Sequence, residues 1–341
     1  MAITDATLQV LRKPGEESEC SLDGKPDHSI RGADSEALFH TLRRLFNAKP
    51  GKAIGRLTGD QGATFPALLK DWQEGKLSLP TLTLKVAGDF AEALTPIQAE
   101  TTSYVLWYVQ ELGNEVSLYL FLVESSVTFQ VQDDLSLAPA EHLDPAEITL
   151  GCRFDLDRLT KSAPDAVSVY AHRGRKKIAD ACLSILGFTT GVDTARDTST
   201  LLESLTRYTA PLESHKAAEA HKKAVTYCEE QEKAGLPVNL DELASAVDEQ
   251  APEAFVSCLR TLEPGLGDTL YPDSRKLKQL VRFSGRTKAL SLSFSSEAIN
   301  QAVVYNAESD RLEILDIPKT LKVQLSRWLR QSGDSAEEGP A

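Results

Sequence analysis

The chain has 341 residues, 41% hydrophobic and 26% charged, which is a globular composition long enough to bury one large core or two to three smaller ones. Its formal net charge of −13 excludes a simple basic protein that coats nucleic acid, because a uniformly acidic surface repels phosphate. The balance is uneven, however: residues 270–330 carry eleven Lys/Arg and six Asp/Glu, a net +5 that leaves −18 on the remainder, so any anion-binding face must be local.

In chain order, the first hundred residues read as mainly helical with loops. Ser35 caps a predicted helix whose apolar residues, Leu38, Leu42, Leu45 and Phe46, recur at helical spacing. Residues 48–62 are glycine-rich and predicted as loop, with short helices after them at Phe65–Trp72 and Leu84–Leu94. Tyr104–Val109 and Val116–Val123 then read as strands joined by a turn at Gly113-Asn114. Val127, Phe129 and Val131 alternate with polar residues as a half-buried strand does, and Leu150, Cys152, Phe154 and Leu156 alternate again. The links are too short for parallel crossovers, so the sheet is predicted to be antiparallel.

Helical spacing takes over from 173 to 282. Ile178, Cys182, Ile185 and Leu186 form one face that stops at Gly187. A long helix is predicted from Pro211 to about Lys233, with Gly235 beyond its end. Asn239 and Glu242 resemble a capping box ahead of Leu240, Leu243, Ala244 and Val247, and Pro252 opens a helix with Phe255, Leu259 and Leu262. Strands return with Leu290, Leu292 and Phe294, then Val303–Tyr305 and Leu312–Ile317 across a polar turn, before a last helix over Thr320–Arg330. The predicted class is therefore α+β. A mixed N-terminal lobe, residues 1–165, holds an antiparallel sheet with helices. Residues 166–331 form a helical middle and a small C-terminal α/β segment, and 332–341 form a disordered acidic tail.

The opening residues lack the apolar run of a signal peptide, and the longest apolar stretch falls far short of a membrane span. Five cysteines, Cys20, Cys152, Cys182, Cys228 and Cys258, with no CxxC pair, read as reduced cytoplasmic thiols packed as small hydrophobes. The six histidines are scattered, so no metal and no cofactor is expected.

Two basic clusters carry the candidate chemistry. Arg173, Gly174, Arg175, Lys176 and Lys177 stand at the start of a predicted helix, where cations oppose the helix dipole while a bound anion is favoured by both the free N–H groups and the side chains. Gly174 would let backbone approach a phosphate closely. Charged turns are more often simply solvated or paired with acids, and that reading stands beside the first. In the second cluster, Arg275, Lys278 and Arg282 follow the i, i+3, i+7 positions of one helix face, with Lys276, Arg286 and Lys288 close by. An amphipathic helix explains its apolar half fully and its one-sign polar half less well. Lys216, Lys222 and Lys223, with His215 and His221, lie among Glu213, Glu219, Glu229 and Glu230 and read as a salt-bridged solvent face. A helix-turn-helix over 211–262 is disfavoured by Asp241, Glu242, Asp248, Glu249 and Glu253 in the would-be recognition region.

No GxxxxGK[ST], GxSxG, HExxH or DxDxDG pattern is present. Asp60 with Glu74-Gly75-Lys76 has acids and a lysine for a metal-dependent nuclease but lacks the flanking strands. Tyr104, Trp107, Tyr108 and Tyr119 fit a core better than a base-stacking platform. The expectation is therefore that the protein is not an enzyme.

Two stretches resemble the bacterial 37-kDa nucleoid-associated family. One is HLDPAEITLGCRFDLDRL with HRGRKKIADACLSILGFTTGVDTARDTSTLLESL, whose likeness rests on Leu143-Asp144, Gly174-Arg175-Lys176, Ala179-Asp180 and Leu186-Gly187. The other is YPDSRKLKQLVRFSGRTKALSLSF, continuing to RLEILDIPKTLKVQLSR. After Phe283 the family tends to be glycine-rich, whereas this chain has Ser284-Gly285-Arg286-Thr287-Lys288. The resemblance implies nucleoid location in the cytoplasm and DNA association, and no known reaction. The expected partner is DNA, double-stranded, held mainly through phosphate contacts by Arg173, Gly174, Arg175, Lys176, Lys177, Arg275, Lys278, Arg282, Arg286 and Lys288. A homodimer would add avidity. The alternative is a nucleoid interaction module whose acidic surface binds a basic or DNA-bound protein partner.

Overall fold

The structure is a computed structural model that describes residues 2–59, 62–113, 115–299 and 301–334, without the side chains of Ala2, Ser274, Arg275 and 330–334. Asp60 of the nuclease reading, the turn residue Asn114 and tail residues 335–341 lie outside the described residues. The chain divides into two compact units, Met1–Ser199 with Glu229–Asn239 and Gly267–Asp273, and Thr200–Cys228 with Leu240–Leu266 and Ser274–Ala341.

The first unit runs β1 Ala2–Lys13, β2 Ser21–Asp23, α1 Ala33–Ala48, β3 Ala53–Leu57, α2 Phe65–Gln73, α3 Leu79–Leu94, β4 Thr101–Leu112, β5 Glu115–Val131, β6 Leu137–Asp155, α4 Leu156–Thr160, β7 Val167–Ala171, α5 Lys176–Leu186 and β8 Phe188–Thr190. Its eight strands form one sheet in the order β2-β1-β4-β5-β6-β7-β3-β8, with every pairing antiparallel, as the short links require. Residues 166–199, which the sequence assigns to the second lobe, group with this unit, where β7 extends the sheet and α5 covers it.

Both faces of the sheet are covered. Val105, Trp107, Val109, Leu118, Leu120 and Leu122 face a core closed by Phe65 of α2, Leu82, Val86 and Phe90 of α3, and Ile178 and Cys182 of α5. Leu106, Tyr108, Tyr119 and Phe121 face Phe39, Leu42 and Phe46 of α1 on the other side. Burial on both faces is why β4 and β5 read as nearly continuous apolar runs. It also removes Trp107, Tyr108 and Tyr119 from any stacking role, because all three are buried.

Helices predominate among the elements of the first hundred residues, as the sequence predicts, but a strand it does not predict, β1, spans 12 of them. Its alternation is hidden because two buried positions are polar. Thr7 Oγ1 and Gln9 Nε2 each approach Thr83 Oγ1 of α3 at 3.0 Å, so the core accepts them hydrogen-bonded. The predicted 48–62 loop contains β3. There Gly55 is required by packing rather than by a turn, because a Cβ would lie 2.0 Å from the Thr189 carbonyl oxygen of β8. A third expectation also fails. Val127, Phe129 and Val131 form strand but are not half-buried; they are 67%, 72% and 60% exposed, since the outer parts of β5 and β6 pair only with each other.

Two helices contribute to both units, α6 Thr194–Thr209 and α7 Ser214–Ala234. Next come β9 Val238–Asn239, α8 Leu240–Val247, α9 Pro252–Leu262 and β10 Thr269–Leu270, which pairs with β9 inside the first unit. In the second unit α8 packs on α9, Tyr208 of α6 lies edge-on to Phe255 of α9 at 5.3 Å, and the Tyr208 hydroxyl donates to Asp248 Oδ2 at 2.6 Å. The chain then forms α10 Ser274–Leu277, the hairpin β11 Arg282–Arg286 with β12 Ser291–Ser295, the hairpin β13 Val303–Asn306 with β14 Arg311–Ile314, and α11 Lys319–Asp334. Helix α11 thus continues into the first residues of the predicted tail. No helix among the described residues is long and apolar enough to cross a membrane.

Candidate nucleic-acid interface

The first basic cluster follows β7, whose end is fixed by the His172 N–H donating to the Thr149 carbonyl of β6 at 2.9 Å. Arg173–Arg175 make one 3-10 turn, and α5 starts at Lys176 with no side-chain cap on its first N–H groups. Two of the four cations are already engaged. Arg175 Nη2 donates to Glu124 Oε2 at 2.6 Å, and Glu124 Oε1 accepts from Thr149 Oγ1 at 3.0 Å. Lys176 Nζ meets Asp180 Oδ2 at 2.5 Å, one helical turn on. Arg173 and Lys177 are exposed and form no ion pair among the described residues. Gly174 does not adopt positive φ, and a Cβ there would meet only the His172 imidazole at 3.1 Å and beyond.

The second cluster differs from its sequence reading. Arg275, Lys278 and Arg282 do not share a helix face: α10 stops at Leu277, a 3-10 turn covers Lys278–Leu280, and Arg282 begins a strand. Cross-strand pairing outweighs the helical spacing. Phe283 pairs with Phe294 in register, their rings 5.7 Å apart, an interaction available only to the hairpin. The turn is closed by Thr287, whose N–H donates to the Leu290 carbonyl at 2.7 Å while its Oγ1 accepts the Leu290 N–H at 3.0 Å.

The register sorts this hairpin into two chemistries, because paired residues share a face and neighbours alternate. Phe283 and Gly285 lie with Phe294 and Leu292 on one face. Arg282, Ser284 and Arg286 lie with Ser295, Ser293 and Ser291 on the other. That face is composed wholly of guanidinium and hydroxyl groups. Arg282 Nε donates to Ser293 Oγ at 2.7 Å, which aims the guanidinium along the ribbon. Every residue of β11 is exposed, and Arg282, Arg286 and Lys288 form no ion pair among the described residues. No acid occurs in the sequence between Asp273 and Glu297. The basic residues alone do not point to the four serines, although Ser291, Ser293 and Ser295 alternating with Leu292 and Phe294 are a visible two-residue period. The side chain of Arg275 lies outside the described residues, and Lys278 has a partner of its own.

The remaining candidates are absorbed by structure. Lys216 and Lys223 pair with Glu213 and Glu219 at 3.8 and 3.1 Å, and Lys222 pairs with Glu297 at 2.9 Å. His221 meets Thr209 Oγ1 at 2.9 Å, and burial pushes its imidazole below the usual range despite a backbone contact at Leu205 that favours the proton. Lys76 pairs with Glu74 at 2.5 Å and Asp71 at 3.3 Å. Among the described residues no three His, Cys, Asp or Glu stand together to hold a metal ion.

A family model described as nucleoid-associated protein YejK matches residues 8–322. The chain is 29% identical to a nucleoid-associated protein of Azotobacter vinelandii, over 96% of this chain and 98% of that one. It is 30% identical to one of Pseudomonas entomophila, over 90% and 96%. With one of Pseudomonas aeruginosa it shares 27% identity over 98% and 100%.

Proposed function

Since the chain belongs to the YejK family of nucleoid-associated proteins, we propose that it binds double-stranded DNA in the nucleoid through phosphate contacts with little sequence preference. The observation that carries this reading is the exposed polar face of the β11–β12 hairpin. Guanidinium groups and hydroxyls are the side chains most used on phosphate oxygens, and Arg offers two parallel donors to one phosphate. Lys288 in the hairpin turn adds a third cation. Arg173 and Lys177 are the members of the first cluster left for DNA, with Arg175 and Lys176 serving the fold. The acidic remainder of the surface confines the attraction to these places and opposes non-specific coating.

Phosphate contact predicts sequence tolerance. Two duplexes of unrelated sequence should bind within about threefold of each other in fluorescence anisotropy at low salt, and Arg282→Ala/Arg286→Ala should weaken both equally. A preference on the order of a hundredfold for one duplex would mean base readout and would overturn the reading. The interaction-module alternative draws on the acidic majority of the surface. It becomes the better account if purified protein fails to bind either duplex.

A further inference from the structure

The β11–β12 ribbon has a second face, which phosphate contact leaves unexplained. By the alternation that sets Leu292 and Phe294 opposite the serines, Leu290 joins them and Phe283 on that side. These side chains line an open cleft of about 370 Å³ over Gly285, where a Cβ would meet nothing within 4 Å. Leu290 stands at the tip of the ribbon and is 55% exposed. Its N–H and carbonyl close the turn with Thr287, so its backbone serves the fold while its side chain stands in solvent.

Whatever covers this face must also satisfy the ribbon's charge. From Ser274 to Ser296 the sequence holds six Lys/Arg and no acid. A second copy of the ribbon would set like charge against like. An anionic surface with an apolar interior suits both faces, and DNA is one, with phosphates along its groove rims and stacked bases within. A bilayer is another, but a single leucine at the tip is far short of the apolar chain that a membrane anchor needs. Groove dimensions decide how the ribbon enters. The major groove, about 12 Å wide, would take it undistorted and bring its arginines to guanine edges, against the sequence tolerance proposed above. The minor groove is about 6 Å wide and a strand layer with its side chains about 10 Å thick, so entry there requires the groove to open. An apolar side chain inserted between base pairs opens it, by unstacking one step and kinking the duplex toward the major groove.

We propose that the ribbon kinks the duplex it holds, with Arg282 and Arg286 on the phosphates and Leu290 as the wedge that enters one base step from the minor-groove side. This rests on the phosphate-binding reading of the same hairpin and adds the form of DNA it selects, a duplex already weakened in its stacking.

The test uses the full chain and two short duplexes with a donor and an acceptor dye at their ends, one continuous and one with a single-nucleotide gap at its centre. Anisotropy follows binding and energy transfer follows bending. A continuous duplex of about 20 bp is about 68 Å long, and a kink of about 60° brings its ends to about 59 Å, so transfer should rise on binding. Wild type should also hold the gapped duplex at least about tenfold tighter, because its stacking is already broken. Leu290→Ala keeps both backbone bonds of the turn and is checked for folding by circular dichroism. At saturation it should bind without the rise in transfer, and it should lose the preference for the gap. Wild type that binds with neither a rise in transfer nor a gap preference would overturn the wedge and leave the phosphate reading standing. A Leu290→Ala protein that still bends the duplex would do the same. Failure to bind either duplex would overturn both readings, and capture by phosphatidylglycerol vesicles in its place would give the ribbon to a membrane surface.

Discussion

Replacing Arg175 with alanine would leave the Glu124 carboxylate, whose side chain is 15% exposed, with Thr149 Oγ1 as its remaining side-chain donor. A hydrogen bond to a charged group contributes about 1.5–3 kcal/mol net, and the orphaned acid adds its own desolvation cost. Arg175 is 41% exposed, so solvent screening places the loss near the lower end, about 1.5 kcal/mol. For a unit of this size that corresponds to a fall in Tm of about 3–6 °C. Thermal unfolding followed by circular dichroism reads it directly. Glu124→Ala in the same chain should not add a second loss of equal size, because removing both partners removes the orphan. DNA affinity and its salt dependence should stay at the wild-type level. If Arg175→Ala instead left Tm unchanged and weakened DNA binding, Arg175 would be a phosphate ligand and the assignment of the Glu124 pair to the fold would be wrong.

Three further outcomes follow from the same structure. Gly187, at the end of α5, has φ +67°, and a Cβ there would stand 2.3 Å from the Thr58 carbonyl oxygen, so Gly187→Ala should cost at least about 2 kcal/mol in urea unfolding; a neutral substitution would contradict the close packing of α5 on the β3 side of the sheet. Burial holds the His221 imidazole below its ordinary 6.5, so the unfolded chain takes up the proton first. Stability should therefore be full above that value and decline as pH falls from it toward the folded pKa, by no more than about 1.4 kcal/mol per pH unit, and the decline should shrink in His221→Gln. Cys152, Cys182 and Cys228 are buried, and burial pushes the thiols of Cys152 and Cys182 up, so a thiol reagent should reach at most Cys20 and Cys258 before unfolding exposes the rest.

Much of the fold was legible because its signals are local and repeat. The apolar runs of β4 and β5, the Gly187 stop after α5 and the Pro252 start of α9 all agree between sequence and structure. β1 was not legible, because Thr7 and Gln9 are buried through bonds to a helix more than seventy residues away. β3 reads as loop because the stretch 48–62 is glycine-rich, whereas the real constraint on Gly55 is the Thr189 carbonyl of another strand. The basic residues of both clusters were visible as charges, but their roles were not. Glu124, the partner that ties Arg175 to the fold, lies 51 residues away. Arg282 obeys helical spacing with Arg275 and Lys278, but the Phe283–Phe294 pair places it with Arg286 on a ribbon with four serines.

The central claim is that the hairpin neutralises phosphate, and the salt dependence of duplex binding tests it most directly. Anisotropy titrations of a labelled duplex of about 30 bp across a salt series, for wild type and Arg282→Ala/Arg286→Ala/Lys288→Ala, give two log–log slopes. At about 0.9 per phosphate, three lost contacts should flatten the slope by about 2.7, a difference of about 40-fold in the affinity lost between about 50 and 200 mM salt. Parallel slopes for the two proteins, both folded, would place the DNA contacts elsewhere, and a wild type that does not bind even near 50 mM would contradict direct duplex binding.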